Sequence, residues 1–403
     1  MSLRLKQAFG VLMGLLPLSV FAQQSNAAYL SGQDSSSNPI TVAVPFLSFA
    51  PDSRGSAMGD VGVASSADEY SVHWNNAKLA FLDKKMGASL SYSPWLGNIV
   101  DDMSLSYATF HLKPSRNEAF GATMRYFNLG SIQLTDASGQ PLGLENPREV
   151  AFDATYSRKL TENIGVGVTG RYIWSNLSGH ITGQPGAKAG TSVAVDLGFY
   201  YHKEVMFNGM NSEISFGAHM SNFGKKITYS TDANQDFIPT NLRLGGGFKI
   251  NLDPYNSLTL LLDFNKLMVP TPPKYKTDSN GELVYDSNGN PVIAKGKDPN
   301  RPLLSGAFGS FSDAPNGFKE ELQEIQISSG VEYRYSDFFA VRTGYFYENK
   351  YKGDRKYFTA GVGFKYQVFG ADFSYLIPIR QNDPLGNTLR LSLNFSFDTD
   401  DNQ

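Results

Sequence analysis

The feature that most constrains this chain is a long series of segments in which apolar and polar side chains alternate. From Met86 onward about fourteen such segments follow one another, each roughly 8 to 12 residues long. A period of two indicates a β-strand with two unlike faces, and this length is what a tilted strand needs to cross a bilayer. The strands are predicted at 86–93, 102–112, 117–127, 149–158, 163–174, 190–202, 212–221, 242–251, 256–266, 324–334, 338–348, 356–366, 369–377 and 388–397.

Charged residues keep to one face of these segments. In the segment at 324–334, Gln326 and Glu332 share a face, and Ile327 and Val331 take the other. A soluble sandwich also alternates, so alternation alone leaves two architectures open. In a membrane barrel the apolar face meets lipid, where Arg or Lys at mid-depth costs roughly 2 to 4 kcal/mol. The same split places these residues on the polar face: Arg125, Asp153, Arg171, Asp196, Arg243, Lys249, Asp263, Arg342, Lys365 and Asp372.

The lengths of the connections favour the barrel. Tight turns such as Pro114–Arg116 and Asp253–Tyr255 alternate with long gaps, including about twenty residues after Asn128 and more than fifty from Met268 to Glu321. Short and long connections in alternation are typical of an up-and-down barrel with periplasmic turns and external loops. The predicted fold class is therefore all-β: a transmembrane antiparallel barrel of about 14 strands, placed in the outer membrane with its external loops on the cell surface.

The chain before the strands divides into three parts. Residues 1–22 join Arg4 and Lys6 to a short apolar run and end on small residues, which is typical of a secretory signal peptide. Residues 23–45 are polar and predict a flexible lead. Residues 46–85 are rich in Gly, Ala, Ser and Asp and predict a plug inside the lumen. The barrel is predicted to occupy residues 86–397, followed by a tail at 398–403.

The plug is expected to fill the barrel from the periplasmic side. An even number of strands places both ends of the barrel on that side, and a barrel of this strand number needs something to fill it. Two short helices are predicted in the plug, one around Ser56–Gly59 and one from Asn75 through Ala80.

Composition excludes several other classes of protein. The net charge is -3 and no basic block is present, which argues against a nucleic-acid partner. The chain has no cysteine, so it has neither a disulfide framework nor a site for lipoprotein acylation. Its 39 glycines and abundant Tyr and Phe fit an outer-membrane barrel, which uses small lumen residues and aromatic girdles.

Two external loops supply candidate residues for binding a partner. In the first, apolar side chains stand where water or lipid headgroups are expected, so they are either anchors for a partner protein or part of an interfacial belt. In the longest loop, prolines stiffen the start of the connection. The candidate residues are Trp95, Leu96, Ile99 and Val100 in the first loop, and Pro270 and Pro272 in the longest.

Neither metal binding nor catalysis is predicted. Asp278–Gly281 and Asp286–Gly289 form a small repeat, but the later ligands of a calcium loop are missing and Asn-Gly is a hairpin-turn signal. His73 lies near Ser71 and Asp68, so a Ser/His/Asp site for lipid deacylation can be imagined. No Gly-x-Ser-x-Gly elbow accompanies it, and packing inside the plug is the alternative. No cofactor is predicted.

The plug carries a motif made of Asp52, Arg54, Met58, Gly59, Asp60, Asp68, Trp74 and Asn75. Together with 152–157, 238–241 and 357–363, this motif resembles the PorV branch of the FadL-like outer-membrane barrels, the type IX secretion proteins of Bacteroidetes. The family usually has Trp-Asn-Pro-Ala, and here Asn76 replaces the proline, which concerns only how rigidly the second plug helix begins.

The resemblance implies a function without enzymatic activity. Such proteins receive secreted cargo from the translocon barrel by binding its C-terminal signal domain. They then deliver the cargo to a surface attachment complex, where a separate sortase removes that domain and joins the cargo to lipopolysaccharide. The partners implied are therefore cargo, translocon, sortase, other attachment-complex proteins and outer-membrane lipid. The FadL branch instead moves hydrophobic molecules through the barrel wall, and this is the alternative function.

Overall fold

The structure, a computed structural model, describes residues 37–97, 100, 102–135, 138, 140–177, 188–230, 235–280, 282–379, 386 and 388–398. Two units partition the chain, residues 1–37 and 38–403, and the features below all belong to the second. The predicted signal peptide, most of the lead, Ile99 and nearly all of the tail lie outside the described residues.

Each of the fourteen predicted strands is present, and together they close into one barrel. Their ends differ from the predictions by a few residues, most in β8, which continues to Phe207. The barrel strands are β1 Met86–Pro94, β2 Met103–Leu112, β3 Glu118–Leu129, β6 Arg148–Lys159, β7 Ile164–Asn176, β8 Gly190–Phe207, β9 Met210–Gly224, β10 Asn241–Asn251, β11 Asn256–Leu267, β14 Gln326–Tyr335, β15 Phe339–Tyr347, β16 Lys356–Tyr366, β17 Phe369–Pro378 and β18 Leu389–Phe397.

Every barrel strand pairs antiparallel with its neighbours, and β1 closes the barrel by pairing with β18. The closing register sets Met86 opposite Phe397 and Tyr92 opposite Leu391. Tight turns join the strands at one end, which we call the short-turn end, and both termini of the barrel lie there. The opposite end, with the longer connections, is the long-connection end.

The two faces of the barrel differ as the alternation predicts. Arg125, Arg171 and Asp196 are buried in the lumen, whereas Leu90 and Phe152 stand exposed on the outer wall. A ring of apolar side chains outside and of charged ones inside is what lipid requires of a barrel.

The longest connection, residues 268–325, is a folded structure, and we call it the excursion. It contains the hairpin strands β12 Lys274–Tyr275 and β13 Ile293–Lys295 and the helices α3 Leu303–Gly309 and α4 Phe318–Gln323. A second small hairpin, β4 Ile132–Thr135 and β5 Pro141–Glu145, lies between β3 and β6. No helix among the described residues is long and apolar enough to cross a membrane.

The plug contains four short helical segments. They are a 3₁₀ helix Pro45–Ser48, α1 Ser53–Ser56, α2 Ser71–Trp74 and a second 3₁₀ helix Asn76–Phe81. The helix predicted around Ser56–Gly59 begins earlier, because the Asp52 side chain caps it. The one predicted from Asn75 is present as the second 3₁₀ helix, while α2 was not predicted.

The plug approaches the lumen from the side opposite to the one expected. Asn38 donates hydrogen bonds to the carbonyls of Tyr351 and Pro272, and both of these residues lie in connections at the long-connection end. The chain then descends through the lumen and leaves at the short-turn end to begin β1. The reason is the burial of apolar side chains. Phe46 and Leu47 pack in a buried cluster with Trp95, Phe127, Ile173 and Ile238. Among the described residues, this cluster lies toward the long-connection end.

Candidate functional site

Buried ion pairs centred on Arg54 hold the plug to the barrel wall. Its Nε and Nη2 donate to both carboxylate oxygens of Glu332, at 3.1 and 3.2 Å, and Nη1 donates to Asp68 at 2.8 Å. Glu332 also accepts from Arg342 at 2.7 Å, and Arg342 is bonded in turn to Asp372. The sequence placed Arg54 and Asp68 in the plug motif and the other three residues on the polar face of the strands. In the structure all five form one network of ion pairs.

Asp52 and Trp74 form the centre of the plug. The indole N–H of Trp74 donates to Asp52 Oδ1 at 2.6 Å, and Oδ2 accepts from the amide of Gly55 at 2.8 Å. Burial, together with the nearby charge of Asp68, raises the pKa of Asp52 to about 6. Gly62 lies against the indole, and a Cβ there would come within 2.5 Å of the ring. The two halves of the plug therefore pack as one unit around the indole.

Three further motif residues, Met58, Gly59 and Asp60, contact the barrel wall, chiefly at β15 and β16. Gly59 has a φ of +75°, and its amide donates to Thr359 Oγ1 at 2.8 Å. Asp60 Oδ2 accepts from the Tyr357 hydroxyl at 2.6 Å, and Met58 is buried among apolar side chains. A glycine at position 59 satisfies both the left-handed backbone and the close approach of the wall.

Asn75 and Asn76 tie the second half of the plug to β7 and β8. Asn75 Nδ2 donates to the carbonyl of Phe199 at 2.9 Å. Asn76, which stands where the resembling family has proline, donates to Thr169 Oγ1 at 2.9 Å and to the carbonyl of Asp196. Its side chain thus adds wall contacts that a proline could not make.

Two cavities in the lumen contain charged and polar side chains in their lining. A cavity of about 300 Å³ at the short-turn end is lined by Arg54, Asp68, Lys249 and Glu332, among others. A smaller one of about 80 Å³ lies deeper, beside His73, and we call it the inner cavity.

The Ser71, His73 and Asp68 side chains do not form a catalytic triad. Ser71 Oγ donates to Asp68 Oδ1 at 3.1 Å, but His73 Nδ1 is bonded instead to Arg125, at 2.8 Å. A triad needs the imidazole between the nucleophile and the carboxylate. No group of three or more His, Cys, Asp or Glu in the part of the chain that the structure describes is arranged to hold a metal ion.

Two of the apolar candidates in the external loops, Trp95 and Pro270, lie in the interior. Trp95 is 6% exposed, and its ring stacks on Phe49 of the plug at 4.1 Å. Leu96 and Val100 are half-buried, and Ile99 lies outside the described residues. Pro270 is buried, while the half-buried Pro272 accepts a hydrogen bond from Asn38. In this conformation Trp95 and Leu96 pack into the apolar cluster that the plug forms with the wall.

Helix α4 has an amphipathic pattern of inverted polarity. Its carboxylates face inward: Glu320 accepts from Lys352 at 2.6 Å, and Lys266 donates to Glu321 at 3.1 Å. Glu324, just after the helix, accepts from both lysines. We call these five residues the lysine latch, because they fasten the excursion to the barrel mouth.

The outer side of α4 carries apolar side chains instead. Phe318 is 75% exposed and Leu322 is 52% exposed, and they stand four residues apart on one face of the helix. Phe308 of α3 is also exposed, but it lies 6.3 Å from Phe223, so it borders the outer wall. We call Phe318 and Leu322 the α4 face. The sequence analysis did not predict it, because the only sign of it in the sequence is two apolar residues four positions apart beside three glutamates.

Comparison with solved structures finds similar chains at low identity. The Pseudomonas putida toluene transporter TodX matches with a TM-score of 0.48 and 11% identity, over 86% of this chain and 99% of its own. The Ralstonia pickettii toluene transporter TbuX gives 0.44 and 12%, over 86% and 98%. A Pseudomonas aeruginosa FadL homologue gives 0.43 and 10%, over 90% and 100%. No curated protein matches the sequence.

Comparison with protein families is more specific. The family described as type IX secretion system protein PorV matches residues 32–274, which is more than half of the chain. The match includes the whole plug and the strands β1 to β11. The match agrees with the resemblance that the plug motif indicated. The matched family is one of outer-membrane proteins of a non-enzymatic kind. The chain therefore belongs to the PorV family of type IX secretion system proteins.

Proposed function

We propose that this protein is a shuttle of the type IX secretion system in the outer membrane. It binds the C-terminal signal domain of secreted cargo at the translocon barrel and passes the cargo to the surface sortase of the attachment complex. Its long-connection end faces the cell surface, since short turns are typical of the periplasmic end of such barrels. Membership of the PorV family supports the secretion system as the setting.

The observation that carries the proposal is the exposed apolar face of α4. Aromatic and aliphatic side chains on the outside of a folded loop, with the charged side buried, are the reverse of what water favours. Exposed apolar patches of this kind mark sites that another protein or a membrane covers. Phe318 and Leu322 are therefore the proposed anchors for the signal domain, and the lysine latch holds them in place.

The filled lumen supports a carrier in preference to a transporter. The plug occupies the barrel, and two cavities beside it contain charged side chains such as Arg54, Asp68 and Arg243. A path for hydrocarbons would need apolar walls. The proposed shuttle therefore works at its surface, in contact with outer-membrane lipid.

The test is co-purification of the tagged barrel with the C-terminal signal domain of a secreted protein from the same cells. We expect the native barrel to retain the domain and the double variant Phe318→Ser, Leu322→Ser to lose most of it, because its anchors are gone. Leu304→Ser is the matched control, since Leu304 is 63% exposed on α3 of the same excursion. Retention by the barrel with the Leu304 change should stay near the native level.

The same preparations separate the shuttle from the transporter. A native barrel that carries fatty acid or hydrocarbon and retains no signal domain would contradict the proposal and favour transport. Equal retention of the domain by the α4 variant and the native barrel would leave the secretion function in place but move the binding surface elsewhere. Heat-dependent mobility in gels shows that each variant is a folded barrel.

A further inference from the structure

Helix α3 of the excursion carries a second exposed apolar surface, which we call the α3 stripe (Leu304, Phe308 and Phe311). The three side chains are 63%, 59% and 43% exposed. Their spacing of four and three residues places them on one side of the helix and of the turn that ends it. The opposite side is packed, since Ala307 and Ser310 are fully buried. The stripe is therefore the side of α3 that the described part of the chain leaves open.

The packed side of α3 lies on the connection between β9 and β10. Gly306 rests against the ring of Phe237, which is buried, and the Lys226 ammonium lies 4.4 Å from the centroid of the same ring. Lys226 also donates to the carbonyl of Arg301, just before the helix, at 3.5 Å. These contacts determine which side of α3 is packed and which side is open.

The middle of the stripe borders the outer wall of the barrel. The ring centroids of Phe308 and Phe223 lie 6.3 Å apart. Phe223 stands opposite Val195 in the pairing of β9 with β8, and residues directly opposite one another in a sheet share a face. Val195 is exposed on the outer wall, so Phe223 also faces outward. Phe308 therefore adjoins the surface that meets lipid.

The end of the stripe borders the same wall two strands further on. Lys266 of β11 follows Phe264 by two residues, and Phe264 is exposed on the outer wall, so both side chains leave the strand on its outer face. The Lys266 ammonium lies 5.4 Å from the centroid of the Phe311 ring, while it also binds Glu321 in the lysine latch. Helix α3 therefore lies beside the outer faces of β9 and β11.

The composition of this segment is compatible with a bilayer. Residues 302–312 contain no charged side chain, and a charge that faces lipid costs free energy. Helix α4 differs, because Lys319 is exposed next to Phe318. A helix with Leu and Phe on its open side is typical of the boundary between lipid headgroups and acyl chains.

We infer that the α3 stripe is a membrane anchor, which inserts among the lipid acyl chains beside the rim of the barrel wall. The occupant follows from continuity, since Phe308 and Phe311 extend an apolar wall that a bilayer covers. The leaflet is the outer one in the orientation proposed above, whereas the contact with lipid does not depend on that orientation. The anchor acts together with the lysine latch to hold the excursion beside the barrel.

Site-specific fluorescence quenching tests the anchor. The chain has no cysteine, so Leu304→Cys supplies one attachment point for a fluorophore. An interfacial helix lies about 5 to 10 Å into the boundary between headgroups and acyl chains. In phosphatidylcholine nanodiscs, lipids with a nitroxide near the headgroup end of the acyl chain should therefore remove most of the fluorescence. Iodide in the water should leave it nearly unchanged.

Two control positions show what each environment gives. A label at Leu90→Cys, on the outer wall, should respond to nitroxide lipids, and a label at Lys319→Cys, on the exposed side of α4, should respond to iodide. If Leu304→Cys does not fold, as judged by heat-dependent mobility in gels, Phe308→Cys takes its place with the same expected result.

Quenching of the stripe label by iodide and not by nitroxide lipids would overturn the inference, since the stripe would then face water. Protection from both quenchers would also overturn it, because protein and not lipid would cover the stripe. The nanodiscs contain no signal domain, so each of these results is independent of the proposed binding of cargo at the α4 face.

Discussion

At the residue scale, Arg54 is the point where the plug and the wall depend on one another. Its guanidinium bridges Glu332 of β14 and Asp68 of the plug, and all three side chains are withdrawn from water. Removal of one member of such a group leaves the others charged and buried. The ion pairs of Arg54 should therefore contribute more to the stability of the barrel than an exposed ion pair, which contributes at most about 1 kcal/mol.

Arg54→Met should lower the free energy of unfolding by about 3 to 5 kcal/mol, because Glu332 and Asp68 lose their shared partner. Guanidinium-induced unfolding of the barrel in detergent measures the change. Arg158→Met is the control, since the Arg158–Glu118 pair is exposed and its loss should cost less than about 1 kcal/mol. Equal unfolding midpoints for the two variants would show that the Arg54 network does not secure the plug.

Asn76 illustrates what the sequence shows of single residues and what it hides. The motif identified Asp52, Arg54, Asp68 and Trp74 as a group, and the structure pairs Trp74 with Asp52 and Arg54 with Asp68. The replacement of proline by Asn76 could be judged from the sequence only as a change in how a helix begins. Its hydrogen bonds to β7 and β8 depend on distant parts of the chain, which no local pattern reveals.

At the scale of elements, α4 depends on the lysine latch for its position. Lys352→Met should release the helix from the barrel mouth, because Glu320 and Glu324 lose a buried cation. Amide hydrogen exchange in 303–324 should become about tenfold faster, while exchange in the barrel strands stays unchanged. Lys319→Met, on the exposed side of the same helix, is the matched control and should leave exchange as it is.

The latch should also respond to acid. Burial alone would raise the pKa of Glu320, but hydrogen bonds from Lys352, the amide of Asn316 and Asn38 lower it below the ordinary 4.5. A carboxylate whose pKa is lower when docked stabilises docking above its free pKa and loses that contribution as pH falls through the docked value. Exchange of α4 should therefore be constant from pH 5 to 8, after correction for intrinsic rates, and accelerate below about 4.5.

The acid response should depend on the ion pair between Lys352 and Glu320. The Lys352→Met variant should lose most of the pH dependence, since its helix is already loosened at neutral pH. An α4 that stays equally protected at pH 3.5 and pH 7 would mean that its apolar contacts, and not the latch, hold it.

The elements themselves were predictable to different degrees. Strand alternation is a local signal, and the fourteen predicted strands are present because lipid and lumen impose opposite faces on each one. Helix α4 was not predicted, since its sequence gives no sign that the glutamates face inward. Lys266 and Lys352, the lysines that reverse its polarity, lie far from it in sequence.

At the scale of the whole molecule, the plug closes the barrel from the long-connection end. The sequence predicted that the lumen is filled but placed the approach on the periplasmic side. The side is decided by the apolar cluster around Phe46, Trp95 and Phe127, which the strands assemble only after folding. With the lumen filled and Trp95 packed inside it, the α4 face is an exposed apolar surface at that end that a partner could cover.

The central claim is that this surface binds the C-terminal signal domain of secreted cargo. Site-specific photo-crosslinking on intact cells, with the reactive residue at Leu322, tests it most directly. We predict a crosslink to the signal domain from position 322, and none from Phe338, which is also exposed but lies at the short-turn end. Equal yields from the two positions, or no crosslink from position 322 while cargo is being secreted, would contradict the claim.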